Sequence, residues 1–302
     1  EQNTVRDITH YDGKVSVVIA TYNTAQFLEQ AVCSIIEQSV KPLEIIIIDD
    51  GSRDDTKAIV TALNHPKVRY CYQTNQGQTA AKNRGLALCR GEFIAFCDAD
   101  DYWHPQKLEE QPPYFSNLRV GVVYSEIDTI NAEGVLTTPN NHETRFSGKV
   151  TQQLMVENFV PFGTAIIRRQ CYETLSGFNQ SYAMGIDWDL WLRYSLVWEF
   201  AYCTKKTYIY RLWGGQMSNN HRGRYSNARK ILANFIKLHR QQLKPLWIAH
   251  AWADMNIKEA TMLWKKEQRV IAPFRLYITG LAYRPLSVFG WKSFIKFLLG
   301  RS

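Results

Sequence analysis

The 302-residue chain has no run of about 18 apolar residues, so a membrane-spanning helix is not expected. Cysteines are few, and none of the six (Cys33, Cys71, Cys89, Cys97, Cys171, Cys203) forms a C-x-x-C pair. Most lie within apolar runs, so free buried thiols in a reducing compartment are expected rather than zinc or disulfides. No G-x-G-x-x-G follows a strand-like segment, which argues against a dinucleotide-dependent oxidoreductase. A glycine-rich basic loop after the first strand is also missing, which counts against a nucleotidyltransferase. Residues 1–13 are polar and lack the charged-then-apolar order of a signal segment. Acids are scarce in the tail: residues 221–302 hold 16 Lys+Arg against 3 Asp+Glu, whereas residues 1–220 hold 20 against 25. A mildly acidic front and a strongly basic tail suggest a tail that meets an anionic surface, membrane or nucleic acid. With 45% hydrophobic and 21% charged residues, the composition is otherwise that of a globular protein.

What is present has a regular rhythm. Val15–Ala20 is a β-branched run that reads as a strand. Phe27, Leu28, Ala31, Val32, Ile35 and Ile36 then fall on one face of a helix over 25–38. Glu44-Ile45-Ile46-Ile47-Ile48-Asp49 is a second strand, and its four isoleucines fit a strand covered on both faces. The alternation continues with a helix over 54–63, a strand over 68–72, a helix over 79–89 and a strand over 92–97. Four strands with three crossovers imply an α/β sandwich that binds ligand beyond the carboxyl ends of its strands. Beyond residue 101 the alternation breaks down. Strands are expected around 121–124, 164–167 and 201–210, a loop over 131–148, a helix over 187–197, and helices from 222 onward interrupted near Pro245, Pro273 and Pro285.

Polar clusters sit where the strands end: Thr21-Tyr22-Asn23, Asp49-Asp50-Gly51-Ser52 and Asp98-Ala99-Asp100-Asp101. In the last, three carboxylates fall within four positions. Like charges so close cost free energy unless a positive charge compensates. Hard oxygen ligands suit magnesium or manganese, ions that usually accompany a phosphate-bearing substrate. A solvated acidic turn is the plainer alternative. An aromatic ring at Tyr22 can stack on a base, and the hydroxyl of Thr21 can reach a ribose; a polar turn with Asn23 near a helix N-cap is the alternative.

These segments, with Asn75-Gln76-Gly77 and Ala81-Lys82-Asn83-Arg84-Gly85, resemble the motifs of family 2 glycosyltransferases in order and spacing. The resemblance covers roughly residues 15 to 220. It implies an A-type glycosyltransferase fold, a Rossmann-like α/β/α sandwich with a mixed sheet, and a nucleotide-sugar donor, with a UDP-sugar favoured. It divides the chain into a polar segment 1–14, a catalytic domain 15–220 (nucleotide-binding half 15–101, acceptor-binding half 102–220) and a helical extension 221–302. By resemblance Thr21, Tyr22 and Asn23 line the nucleoside pocket and Asp50 contacts the base. Asp100 is the direct ligand of Mn2+ or Mg2+, with Asp98 near the ribose or the metal. Lys82 and Arg211 are the candidate phosphate contacts, a solvated helix face being the alternative for Lys82.

Gly185-Ile186-Asp187-Trp188-Asp189 resembles the family's acidic segment, and Asp187 aligns with the base that deprotonates the acceptor hydroxyl for inverting transfer. Ile186 stands where a Glu is usual, Asp189 is the rival base, and a helix N-cap is the plain alternative for Asp187. The segment 210–218 resembles the loop that closes over the diphosphate. The family often has His where Trp213 stands, and an indole cannot ligate a metal; His221 is one candidate substitute.

The expected function is metal-dependent inverting transfer of a hexosyl or N-acetylhexosaminyl group to a hydroxyl of a glycan or lipid-linked glycan, as in polysaccharide synthesis. The alternatives are a non-catalytic nucleotide-sugar binder and a nucleic-acid or membrane-surface protein acting through the tail. The acidic front argues against a nucleic-acid groove. In the tail Val288, Trp291, Phe294, Ile295, Leu298 and Leu299 share one helical face with Lys292 and Lys296 on another, which fits contact with an anionic membrane surface. Packing on the catalytic domain or homodimerisation is the alternative. A cytoplasmic location, peripheral on the cytoplasmic membrane face, is expected.

Overall fold

The computed structural model describes residues 12–137, 144–216 and 221–300, the last without the side chains of His221 and Arg222. Most of the expected segment 1–14, part of the 131–148 loop, Met217, Ser218 and the side chain of His221 therefore lie outside the described residues. Two compact units emerge, one within Glu1–Val150 and Phe159–Asn219, the other within Thr151–Asn158 and Asn220–Ser302.

The first unit is built on a nine-stranded mixed sheet. Strands β1 (Val15–Thr21), β2 (Glu44–Asp49), β3 (Val68–Tyr72) and β4 (Phe93–Asp98) are joined by helices α1 (Ala25–Ile36), α2 (Thr56–Leu63) and α3 (Gln78–Leu88). All three pairings among these strands are parallel. There follow β5 (Tyr102–Trp103), α4 (Lys107–Glu110), β6 (Val120–Ile130), β7 (Leu136–Thr137), β8 (Ile166–Arg168), α6 (Arg169–Leu175), α7 (Ile186–Ser195) and β9 (Glu199–Arg211). The order across the sheet is β3-β2-β1-β4-β8-β6-β9-β5, with β7 paired to β6. The β8 strand runs antiparallel to β4, which is where the simple repeat ends.

Every residue of β2 is buried, as the isoleucine run requires. Ile45 and Ile47 join Val17, Ile19 and the α1 residues Leu28, Val32 and Ile35 in one core, while α3 packs on β1 and β2. Each fully buried isoleucine contributes roughly 1.5–3 kcal/mol. At the amino ends of these strands Glu44 accepts from Ser16 Oγ at 2.8 Å and pairs with Arg69 at 2.7 Å and Arg90 at 3.0 Å. This cluster ties the amino ends of β1, β2 and β3 and the approach to β4, leaving the opposite edge open to do chemistry.

The second unit is helical: α5 (Thr151–Val156), α8 (His221–His239), α9 (Pro245–Glu267), α10 (Ile271–Tyr283) and α11 (Val288–Leu298). Ile257, Ala260, Tyr277, Leu281, Phe294 and Phe297 form its core. Pro245 opens α9, and Pro273 sits inside the first turn of α10, where its missing N–H has no intrahelical partner to lose. The break expected near Pro273 therefore falls before α10, at Gln268–Val270.

Candidate functional site

Register brings the polar clusters together. Thr21 pairs with Asp49 across β1–β2, and Ala20 pairs with Asp98 across β1–β4. The three clusters thus share the carboxyl edge of the parallel strands.

Two of these clusters clasp each other. Asn23, at φ 52°, donates its backbone N–H to Ser52 Oγ at 3.0 Å, and its Oδ1 accepts from the N–H of Arg53 at 2.8 Å. Ala25 N–H donates to Asp54 Oδ2 at 2.9 Å, so an acid of the second turn caps helix α1 from outside the helix. Gly51 makes the close approach possible: it stands at φ +85°, and a Cβ there would lie 2.8 Å from Asn75 N. Thr21 is buried with its hydroxyl on Thr24, whereas the Tyr22 ring is 49% exposed beside it. Of the first cluster, then, Tyr22 and Asn23 are exposed, Asn23 while also holding the turn, and Thr21 is buried beneath them.

Asp49 and Asp50 are both buried and divide the work. Asp49 receives Tyr70 Oη and Ser52 N. Asp50 accepts from Gln73 Nε2 at 2.7 Å, Gln76 N at 2.9 Å and Gly77 N at 2.8 Å. Its carboxylate organises the loop that leads into α3, alongside any contact with a ligand.

The acidic run is a graded set. Asp98 carries Lys82 Nζ at 3.0 Å, and that ammonium lies 3.9 Å from the centroid of the Phe162 ring. Asp100 accepts from the indole Nε1 of Trp213 at 2.7 Å. Asp101 is buried and accepts from Tyr208 Oη and Arg211 N, both at 2.8 Å. Burial, reinforced by the neighbouring carboxylates, pushes Asp100 above the usual aspartate range and Asp101 well above it. Clustered acids that resist joint ionisation are the chemistry a divalent cation relieves. Among the described residues no three His, Cys, Asp or Glu side chains gather as a metal cage. At this edge Asp98 and Asp100 are the carboxylates that such an ion would meet, and magnesium-type ions are commonly held by one or two protein carboxylates beside substrate phosphates.

Arg211 is buried. It donates Nε to the carbonyl of Asp100 at 3.0 Å and Nη2 to Gln30 Oε1 at 2.6 Å, and lies over the rings of Phe27 and Tyr102. The guanidinium braces the acidic turn against α1. Gln216 accepts from Trp213 N at 3.3 Å and donates to the Arg211 carbonyl, and the Trp213 ring meets Phe27 edge-on at 5.3 Å.

Asp187 is half-buried in the first turn of α7, where the helix dipole favours a negative charge. The segment before it is pinned to α3: Asn83 exchanges two 2.8 Å hydrogen bonds with the backbone of Phe178, and Gln78 donates to Ala183 O at 3.4 Å. Further along α7, the Trp191 ring lies tilted 6.4 Å from Phe162, the ring beneath Lys82. Asp189 is instead buried in an ion pair with Arg193, both Nε and Nη2 at 2.9 Å.

Sequence reasoning missed three supports, Phe162, Gly163 and Tyr208, and it named Asn83 only as part of a motif without a role. A Cβ on Gly163 would lie 2.0 Å from the Tyr208 ring, so only glycine lets Tyr208 Oη donate to Asp101 and accept from the Asp98 N–H at 3.2 Å. A glycine and two aromatics outside any strand-end motif carry no local signal of this.

The model for glycosyl transferase family 2 matches residues 16–176. A chondroitin synthase of Escherichia coli is 33% identical over 198 residues, covering 64% of this chain and 28% of that protein. The chain thus spans little more than a quarter of that relative. The crystal structure of S. aureus TarS 1–349 superposes with a TM-score of 0.66 at 17% identity, covering 90% of this chain and 81% of that one. The same fragment in complex with UDP-GlcNAc gives 0.62 at 16% identity over 95% and 92% of the two chains. A mannosyltransferase from Pyrobaculum calidifontis in complex with GDP-Man and Mn2+ gives 0.58 at 18% identity over 96% and 90%. At such identities the likeness establishes the fold.

Proposed function

The chain belongs to glycosyl transferase family 2, and from that premise we propose that it transfers a hexosyl or N-acetylhexosaminyl group, with inversion, from a UDP-sugar to a hydroxyl of a glycan or lipid-linked glycan. The observation that carries the reading is the register that gathers Thr21, Asp49 and Asp98 on one sheet edge, with Asp100 just beyond. The UDP-GlcNAc held by the TarS fragment supports a uridine donor, and the chondroitin synthase relative supports a polysaccharide acceptor.

In this reading Tyr22 stacks on the base, and Asp50 contacts it while keeping the β3–α3 loop in shape. Lys82, held by Asp98 and Phe162, stands beside the diphosphate. Arg211 acts by positioning the acidic turn. Asp187 takes the proton from the acceptor hydroxyl as its oxygen attacks the anomeric carbon and the bond to the diphosphate breaks on the opposite face. Asp100, with Asp98, would hold Mn2+ or Mg2+, which supplies neutralisation of charge on the leaving diphosphate. The Mn2+ present with the mannosyltransferase supports that ion.

A thermal-shift screen of UDP- and GDP-sugars with and without manganese tests the donor, followed by transfer assays on glycan acceptors. Stabilisation by one UDP-sugar, dependent on metal and lost in Asp100→Ala, is expected. A GDP-sugar preference, or an Asp100→Ala enzyme of full activity, overturns the corresponding part.

A further inference from the structure

Helices α10 and α11 reverse the usual pattern of a surface helix, which turns polar residues to solvent. In α11 the buried positions are Gly290, Phe294 and Phe297. Around the rest of the helix Val288, Phe289, Trp291, Ile295 and Leu298 are exposed, Val288 by 68%. The single apolar face expected from the sequence is therefore two faces: Phe294 packs inward and the remaining apolar residues look out. In α10 Pro273, Tyr277, Gly280 and Leu281 are buried, while Ile271, Phe274 and Ile278 are exposed on the other side, Ile271 by 73%. The two outward stripes adjoin. The buried Phe294 ring has Phe274 of α10 at 5.8 Å and Trp291 of α11 at 6.2 Å. Leu286, in the turn between the helices, is 92% exposed.

The charges around this face have one sign. Residues 271–300 contain Arg275, Arg284, Lys292 and Lys296 and no acid. All four basic residues are exposed. The three acids of the tail are each ion-paired within the helical unit: Asp254 with Lys258 at 2.8 Å, Glu259 with Arg229, and Glu267 with Arg269 at 3.0 Å. The surplus positive charge therefore stays at the surface. On α11, Lys292 and Lys296 follow the helical spacing along one flank of the outward stripe.

We propose that the outward faces of α10 and α11 form one docking surface for an anionic lipid bilayer. The apolar stripes enter the headgroup–acyl boundary, and Arg275, Arg284, Lys292 and Lys296 meet lipid phosphates. Charge complementarity decides the occupant: a second copy of this chain would bring the same positive rim against itself. No helix of the described residues is long and apolar enough to cross the membrane, and the surface lies on the bilayer rather than in it. The proposal is independent of the transferase reading.

The test is co-flotation of the full chain with phosphatidylglycerol-containing and with pure phosphatidylcholine vesicles. Binding to the anionic vesicles, weakened by salt, is expected. Lys292→Gln with Lys296→Gln should weaken it roughly twenty-five-fold, at about a fivefold loss per basic residue. Ile278→Ser with Ile295→Ser and Leu298→Ser should abolish it while leaving Tyr277, Phe294 and Phe297 packed, which the melting temperature checks. Should that triple variant not fold, quenching by brominated lipid serves instead: a quenched fraction of tryptophan fluorescence, lost in Trp291→Phe, is expected. Equal binding to neutral vesicles, no binding, or a dimer in solution that buries these stripes and ignores vesicles would each overturn the proposal. Asp100→Ala should bind vesicles as the parent chain does, so loss of transfer and loss of docking are separable.

Discussion

The indole N–H of Trp213 donates to Oδ2 of Asp100 at 2.7 Å. The bond favours the ionised carboxylate, against the burial and the Asp98 charge that disfavour it. It also fixes the carboxyl rotamer. A hydrogen bond to a charged acceptor is worth about 1.5–3 kcal/mol. Trp213→Phe keeps a ring against Phe27 and removes only the donor. We expect kcat/KM for transfer to fall tenfold or more, about 1.4 kcal/mol per factor of ten. Trp213→His, which restores a donor, should recover part of the loss and tighten the manganese dependence. An unchanged Trp213→Phe enzyme would remove Trp213 from the site.

Asp187 and Asp189 stand two residues apart on α7 and carry different expectations. Asp189 is bound to Arg193, which also donates to the carbonyls of Leu175 at 2.6 Å and Gly177 at 2.7 Å. Asp189→Asn should lower the melting temperature through loss of a buried pair and leave the pH profile of transfer in place. Asp187→Asn should leave donor binding intact and cut kcat by about 10²–10⁴, the usual contribution of a general base. Steady-state kinetics beside donor titration separates the two. If Asp189→Asn is the variant that loses kcat at unchanged stability, the roles are reversed.

The parallel half of the fold was legible because its signals are local. The isoleucine run of β2, the helical spacing in α1 and the polar residues that end each strand all lie within a few residues of one another. Where β8 inserts antiparallel between β4 and β6, the pairing joins residues 71–75 positions apart on the β4 side and 43–45 on the β6 side, and no periodicity announces it. The same limit applies to the site. Asp98 and Asp100 were readable from one run, but Phe162 beneath Lys82 and Gly163 against Tyr208 are tertiary encounters. Arg211 shows the converse. Its residue type and loop suggested a phosphate ligand, whereas packing against Phe27 and Gln30 engages the guanidinium inside the protein.

Glu44 sets an acid limit on the fold. Burial pushes its carboxyl up, and the bonds from Arg69, Ser16 and Arg90 more than reverse this, leaving it below the usual glutamate value. A depressed folded-state pKa means stability that is present above the unfolded value, about 4.3, and lost as pH falls through the folded one. Glu44→Gln should therefore cost about 2 kcal/mol near neutrality, less than for a fully enclosed pair because both arginines are partly solvated. The gap in melting temperature between variant and parent should close below about pH 4. A constant gap from pH 7 to pH 3 would show that packing, and not charge, accounts for the loss.

Lys107 works in the opposite direction. Its side chain is fully buried, donating to Gln111 Oε1 at 2.5 Å and to the carbonyl of Thr164 at 2.6 Å, and no carboxylate pairs with it among the described ion pairs. Burial pushes its pKa down to about 7. In the unfolded chain a lysine keeps its proton to about 10.4, so above neutrality the unfolded state binds more protons than the folded one. Stability should accordingly rise as pH increases from about 7 to about 8.5, beyond which unfolded-state cysteines begin to titrate and oppose the trend. Lys107→Met removes the titrating group and leaves Gln111 Nε2 on the Thr164 carbonyl at 2.8 Å and Thr207 Oγ1 on Gln111 Oε1 at 3.0 Å. Urea denaturation at several pH values across that window should give a rising stability for the parent and a flat one for Lys107→Met. A parent chain whose stability does not change across the window would mean that Lys107 stays charged inside the core, stabilised by its hydrogen bonds and the Trp103 ring 5.1 Å away.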